Sequence, residues 1–337
     1  MRAMALTAIA SLEDNPDPLT LVDLPVPQPE QDEVLIRIAV CGVCHTELDE
    51  IEGRTPPPRL PVVPGHEVVG YVEQCGAAVT RHRIGDRVGV GWIHGSTGSS
   101  DENLSESFRA TGRDVNGGYA EYMTVGERYA YRIPDVFDDA AAAPLLCAGG
   151  VGYRALRLTG IEDGQVLGLT GFGGSGHLVL QLARHLYPDG QVFVFARSEA
   201  ERRFARELGA AWCGDTEDSP PVSPDAIIDT TPVWRPVLAA LRVLRPGGRL
   251  VINAIRKESA DRHMLADIDY AGQLWMEKEL KTVANVTADD ITGFLRIAAE
   301  IPLQPSVRCF DLEEANSALR ALKTGHIRGA YVLIISH

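Results

Sequence analysis

The hexapeptide Gly171-Phe172-Gly173-Gly174-Ser175-Gly176 follows an apolar run, Val166 to Thr170, and opens a stretch with helical apolar spacing. Alone the pattern is weak, but between a strand and a helix it has a mechanism. The first glycine permits a sharp strand-to-helix turn, the second lets backbone approach a pyrophosphate, and the third packs helix on strand. The helix N-terminus then favours the negative charge. Around it, apolar runs at Gln191 to Ala196, Ala226 to Asp229 and Gly248 to Asn253 alternate with helix-like stretches at Gly176 to His185, Glu199 to Leu208 and Pro236 to Leu244. Such alternation specifies parallel strands joined by crossover helices, a doubly wound α/β sheet. The segment Leu244-Arg245-Pro246-Gly247-Gly248-Arg249-Leu250 also suits doubly wound folds that bind S-adenosylmethionine, so a methyltransferase is the weaker alternative.

A dinucleotide site of the NAD type places a carboxylate on the ribose about 20 residues after the last glycine. Here that position is Ala196, followed by Arg197 and Ser198, with Arg202 and Arg203 close behind. A guanidinium and a hydroxyl suit a 2′-phosphate, so NADP(H) is expected over NAD(H), although Glu199 stands near enough to substitute for the missing carboxylate. The expected cofactor contacts are Gly171, Gly173, Gly174, Ser175, Gly176, Ala196, Arg197, Ser198 and Arg202.

The chain has 337 residues, and at roughly 150 residues per domain that suggests two. Residues 1 to about 150 read as short strands broken by Gly and Pro, such as Glu33 to Val40, Val68 to Glu73 and Arg87 to Trp92, with no long helical pattern. The tail supplies helices at Ile291 to Glu300 and Glu313 to Thr324 and a strand at Ala330 to Ile335. The expected division is therefore a β-rich domain over 1–150, completed by 290–337, and a nucleotide domain over 151–289. The polar, Gly/Ser-rich segment Gly95 to Gly117 reads as a solvated loop. A net charge of −14 repels phosphate backbones and anionic lipid alike, which argues against nucleic-acid partners. The least polar stretch, Ala140 to Gly152, is far short of the ~20 residues of a membrane span. Six scattered cysteines in a chain this long need no disulfide framework, and a cytoplasmic location is expected.

Cys41-Gly42-Val43-Cys44-His45 holds a CxxC pair, but no second pair follows to close a zinc knuckle, and the pair ends a strand rather than opening the helix of a redox motif. Cys41 reads as a buried strand cysteine and Cys44 as a ligand candidate. Read with Gly65-His66-Glu67, Pro144-Leu145-Leu146-Cys147-Ala148-Gly149 and Gly117-Gly118-Tyr119-Ala120-Glu121-Tyr122, this piece resembles the zinc-dependent alcohol dehydrogenases of the medium-chain dehydrogenase/reductase superfamily. The resemblance runs over essentially the whole chain. It implies a GroES-like catalytic domain beside a Rossmann domain, a cleft active site, small alcohol or aldehyde substrates and a homo-oligomer, dimer or tetramer. It implies that Cys44, His66 and Cys147 bind a catalytic Zn²⁺, with Glu67 exchanging at the fourth position. It gives Thr46 the alcohol proton, Glu47 the orientation of a ligand from behind, and His45 and Arg328 contacts to the cofactor. A Cys₂His set with an open position lets zinc polarise an oxygen and favour alkoxide.

Three departures from the family pattern carry expectations of their own. No cysteine remains in the loop that usually holds a structural zinc, where Thr97, Ser100 and Ser105 stand instead, so one zinc per chain is expected. The relay histidine three residues after Thr46 is replaced by Asp49, a poorer match to neutral pH. Arg328 is displaced from the usual place of the family arginine near the C-terminus. Trp92 matches an aromatic that narrows the alcohol pocket, whereas Thr55 stands where yeast-like enzymes have a second Trp, so longer or aromatic primary alcohols are expected to fit. His94, His177 and His263 read as packing or surface residues. The competing functions are a zinc-free quinone or enone reductase of the same superfamily and a non-catalytic NADP(H)-binding protein.

Overall fold

The computed structural model describes residues 1–301, 303, 305–325 and 329–335. The chain divides into two compact units: Met1–Gly150 with Val286–Ala299 and Gln304–His337, and Val151–Asn285 with Glu300–Leu303. No helix among the described residues is long and apolar enough to cross a membrane.

The first unit is built on the long strand Glu33–Val43, whose β-branched and aliphatic residues bury both faces. It pairs antiparallel with Val68–Cys75 over most of its length, with Tyr122–Gly126 at its beginning and with Ala330–Ile334 at its end. The sheet continues through Arg87–Val90 to Tyr131–Arg132 on one side and Val307–Asp311 on the other. Two register shifts between Glu33–Val43 and Val68–Cys75 bend the ladder, as bulges do. Where the strand ends, the chain turns at Cys44 into the short helix His45–Ile51. Sequence periodicity does not announce this helix, because seven residues are too few to display one.

The lobe between Gly95 and Gly117 departs from the expected solvated loop. Glu102 and Thr111 are fully buried and Asn103 nearly so. Glu102 accepts the Tyr129 hydroxyl at 2.9 Å and the backbone amides of Gly98 at 3.0 Å and Ala288 at 2.7 Å. Polar composition misleads here because the polar groups pair with one another inside the lobe. On the exposed side of the lobe the hydroxyls of Thr97 and Ser99 lie 2.7 Å apart and those of Ser105 and Ser107 2.9 Å, so that part is the expected solvated loop.

The second unit is a six-stranded, all-parallel sheet in the order Trp212–Gly214, Gln191–Phe195, Val166–Thr170, Ala226–Asp229, Arg249–Ile252, Glu279–Thr282. Its central strands are mostly apolar, with Leu167, Leu169, Phe193, Val194, Ile227, Ile228, Leu250 and Val251 buried, as strands covered on both faces must be, and polar residues, Thr170 and Asp229, come at the carboxyl ends of two of them. Helices Gly174–Leu186, Glu199–Glu207 and Arg235–Val243 make the crossovers. Val237, Ala240, Leu241 and Leu244 recur at helical spacing and pack on Ile227, Leu250 and Ile252. Strand order reverses between Val166–Thr170 and Ala226–Asp229, and ligand crevices of doubly wound sheets open at the carboxyl ends of such strands.

Candidate metal centre and dinucleotide turn

Four separate stretches deliver one cluster. Cys44 closes the central strand and precedes the helix His45–Ile51. His66 and Glu67 immediately precede the strand Val68–Cys75, and Cys147 lies between the turn Ala143–Leu146 and the helix Ala148–Thr159. Their ligand atoms all lie within 4.8 Å of one another. Cys44 Sγ is 3.9 Å from Cys147 Sγ, and His66 Nε2 is 3.3 Å from Cys147 Sγ. Tetrahedral zinc with ordinary Zn–S and Zn–N bonds separates its ligand atoms by roughly 3.5–3.8 Å, so the donor set and its spacing fit that ion.

The helix behind the cluster fixes the ligands. Glu47 accepts the Cys44 backbone amide at 2.8 Å with one oxygen, and its other oxygen lies 2.5 Å from His66 Nδ1. The carboxylate thereby orients the imidazole with Nε2 toward the thiols, the arrangement in which outer partners set the tautomer of a ligating histidine. Glu67 leaves no room for a side chain at Gly42, where a Cβ would overlap the carboxylate. The Thr46 hydroxyl lies 3.6 Å from Cys44 Sγ.

Electrostatics within the cluster follow from crowding acids in a dry site. Hydrogen bonding from Cys147, together with His66, holds the Cys44 thiol well below its ordinary value despite burial. The shared proton pushes Cys147 the other way, with burial adding to it. Burial raises Glu67 well above the carboxylate range and also raises Glu47. Burial opposes a charge on His66, but Glu47 and Cys44 outweigh it and raise its pKa. Two thiols, an imidazole and a carboxyl brought together are donor types that bind zinc.

Around the cluster the other expected residues are scattered. The Trp92 ring centroid is 5.6 Å from that of His66, and its indole N–H is buried with no hydrogen-bond partner among the described residues. Thr55 accepts Arg113 Nε at its carbonyl, 3.4 Å away, while its hydroxyl is buried without a partner among the described residues. Arg113 was not evident from sequence, since nothing in a polar loop distinguishes one arginine from another. The expected proton acceptor Asp49 is engaged instead: its carboxylate pairs with Arg54 Nε at 2.5 Å. His45 is exposed, and Arg328 lies outside the described residues.

In the second unit the three glycines of the turn differ as their expected tasks differ. Gly171 has φ +79°, and a Cβ there would sit 2.8 Å from Thr230 Oγ1; Gly176 lies 3.0 Å from the Gly171 carbonyl by the same measure. At Gly173 a Cβ would meet nothing within 4 Å, which leaves an open cradle of the kind a pyrophosphate requires. The helix begins at Gly174, so Ser175 is already in its first turn. At the end of the neighbouring strand, Ala196 is buried and Arg197 is exposed, its guanidinium making no bond to the described residues. Ser198 and Arg202 are occupied elsewhere. Ser198 caps its helix by accepting the Glu201 amide at 3.1 Å, and Arg202 donates to the carbonyls of Ala196 and Arg197 at 2.6 and 3.0 Å. A capping hydroxyl and a guanidinium that close off backbone carbonyls are better suited to shaping the strand end than to binding phosphate directly. The Glu199 carboxylate pairs with Arg202 and Arg206 on its own helix. His177 packs against Phe204 and is buried, as expected of a packing residue.

Comparison with known proteins identifies the family. Residues 30–135 match the alcohol dehydrogenase GroES-like domain. The chain is 39% identical over 329 residues to a Mycobacterium tuberculosis (strain CDC 1551 / Oshkosh) protein named "Probable alcohol dehydrogenase AdhA", covering 94% of this chain and 93% of that one. It is 30% identical to an alcohol dehydrogenase of Geobacillus stearothermophilus, covering 96% and 98%. Among solved structures, a cinnamyl alcohol dehydrogenase from Sorghum bicolor superposes with a TM-score of 0.81 at 25% identity, covering 99% of this chain and 97% of that one. The chain therefore belongs to the zinc-type alcohol dehydrogenase family of medium-chain dehydrogenases, oxidoreductases that use a nicotinamide cofactor.

Proposed function

We propose that this protein oxidises primary alcohols larger than ethanol, and reduces the corresponding aldehydes, using one catalytic zinc and NADP(H). The observation that carries the reading is the convergence of Cys44, His66, Glu67 and Cys147 within 4.8 Å, with the Thr46 hydroxyl against Cys44. When bound, zinc supplies a Lewis acid for the alcohol oxygen and the nicotinamide supplies the hydride acceptor.

The chain's own residues do the rest. Cys44, His66 and Cys147 hold the metal, and Glu67 is the carboxylate within reach of it. Glu47 keeps His66 in the tautomer that presents Nε2. The Thr46 hydroxyl takes the alcohol proton, and Asp49, paired with Arg54, is a weak next acceptor. Trp92 walls the space beside His66, while the small Thr55 side chain admits a longer substrate. Preference for NADP(H) is supported by the exposed Arg197, by the lack of a carboxylate at Ala196, and by the diversion of Glu199 onto Arg202 and Arg206.

A panel of linear and aromatic alcohols and aldehydes, assayed with NADPH and NADH in zinc-loaded protein, tests this reading. Turnover should depend on zinc and fall to background in Cys147→Ser. Full activity of metal-free Cys147→Ser protein on quinones or enones would replace this reading with that of a zinc-free reductase.

A further inference from the structure

Lys257 carries a buried charge that neither the fold nor the metal chemistry accounts for. Its side chain is 7% exposed and pairs with Asp229, which is fully buried. The ammonium also donates to the carbonyls of Thr231 at 2.7 Å and Val233 at 3.1 Å. Three N–H groups thus meet three acceptors, and no proton is left for a substrate or ligand.

Asp229 ends the strand Ala226–Asp229, beside the strand that leads into the glycine turn. Its second oxygen accepts the hydroxyls of Thr170 at 2.6 Å and Thr231 at 2.8 Å. Thr170 immediately precedes Gly171. The Thr230 hydroxyl donates to the Thr170 carbonyl at 3.0 Å, and Thr230 and Thr231 are what a Cβ on Gly171 would strike. The segment 230–233 is therefore packed on the first turn glycine, at the place where strand order reverses.

Lys257 lies beyond the next strand, Arg249–Ile252, and its segment is fastened to the same place twice more. The Glu258 amide donates to the Pro232 carbonyl at 2.7 Å, and Asp261 accepts the amides of Trp234 and Arg235, each at 2.8 Å. Two loops at the carboxyl ends of adjacent strands are joined, with the Lys257–Asp229 ion pair buried inside the seam. Asp229 without Lys257 would be a buried charge with no counter-ion among the described residues, and neighbouring groups would move to solvate it.

We propose that Lys257 is a positioning residue for the dinucleotide: through Asp229 it fixes segment 230–233 and the Gly171 turn in the shape that receives the cofactor. The proposal rests on cofactor binding at this glycine turn. Lys257→Met and the double variant Asp229→Asn/Lys257→Met separate positioning from stability, because the double variant removes both charges together. Titration of wild type and variants with NADPH and with NADH, followed by nicotinamide fluorescence without substrate, reads binding directly, and thermal melts of the same unliganded samples read stability.

Lys257→Met should bind at least about tenfold more weakly, by analogy with the supporting residues of metal sites. The double variant should recover melting temperature but not affinity. In turnover, KM for the cofactor should rise while kcat at saturating cofactor stays within about twofold, as loss of uniform binding requires. Wild-type affinity in either variant, or joint recovery of stability and affinity in the double variant, would overturn the proposal. Wild-type protein that binds neither dinucleotide would overturn the cofactor site together with it.

Discussion

Glu102 Oε1 accepts the backbone amide of Ala288 at 2.7 Å, joining positions 186 residues apart in the chain. Its other oxygen serves Gly98 and Tyr129, so one buried carboxylate holds the lobe of residues 95–117 from three directions. Truncation to Ala would leave three donors unpaired, and at ~1–3 kcal/mol for a buried unsatisfied group the loss should be about 3 kcal/mol or more. Glu102→Ala should unfold at lower denaturant and be cut by protease within the lobe. Wild-type stability in this variant would mean that the hydroxyl pairs around Thr97 and Ser105 suffice.

The same contacts bear on metal content. Hydroxyl groups of Thr97, Ser100 and Ser105 stay protonated near neutral pH and bind zinc weakly, so metal analysis of desalted protein should return one zinc per chain. Chelation should abolish turnover and leave protease resistance of the lobe unchanged. Glu47→Gln, which keeps the shape but weakens the grip on His66, should lower zinc affinity by about 10–100-fold. Competition with a chromogenic chelator measures this, and unchanged affinity would remove Glu47 from the site.

Thr46→Val should slow alcohol oxidation by about 10²-fold, the lower range for loss of a positioned proton-transfer group. Asp49→Asn should have a much smaller effect on rate, because Arg54 already engages the Asp49 carboxylate. Rates at saturating substrate, with a deuterated alcohol to show that chemistry limits, decide both. A larger loss in Asp49→Asn than in Thr46→Val would make the aspartate, not the threonine, the main acceptor.

The centre of the doubly wound unit was legible because its four inner strands are apolar runs set between helix-like stretches, whereas the edge strands Trp212–Gly214 and Glu279–Thr282 are too short or too polar to show themselves. The strand Val166–Thr170 and its glycine turn fall where their residues place them. The candidate metal cluster was legible only through the family resemblance: Cys44, His66 and Cys147 are 22 and 81 positions apart, and chain spacing alone says nothing of their meeting. Glu102 and Lys257 were not legible at all. Each is a charged residue in a polar stretch, and the partners that bury it, Tyr129 and Ala288 or Asp229, are brought by the fold from distant sequence. Asp49 shows the converse, since its position suggested a proton acceptor and a neighbour five residues on occupies it.

Cofactor choice should turn on two adjacent residues. Arg197 is exposed and unpaired among the described residues, whereas Ala196 offers nothing to a ribose diol. Arg197→Ala should raise KM for NADPH and leave NADH nearly unchanged, and Ala196→Asp should shift preference toward NADH. Steady-state kcat/KM for both cofactors in each variant gives the ratio directly. A ratio near one in the wild type would show that Arg197 does not meet the 2′-phosphate.

Glu52 ties the helix His45–Ile51 to distant chain, accepting Lys323 Nζ at 2.8 Å and the Leu12 amide at 3.0 Å and pairing with Arg54. Burial opposes its ionisation, but these three partners prevail and lower its pKa to about 2. In the unfolded chain the ordinary value is about 4.3. Folding therefore favours the ionised form, and linkage fixes the sign: the stabilisation is complete above the unfolded value and is lost as pH falls through the folded one. Glu52→Gln should be less stable than wild type at pH 6, and the gap should narrow between roughly pH 4.5 and pH 2 as the wild-type carboxylate takes up its proton. Urea melts at pH 6, 4, 3 and 2.5 follow that gap, and a gap independent of pH would show that Glu52 acts through packing rather than charge.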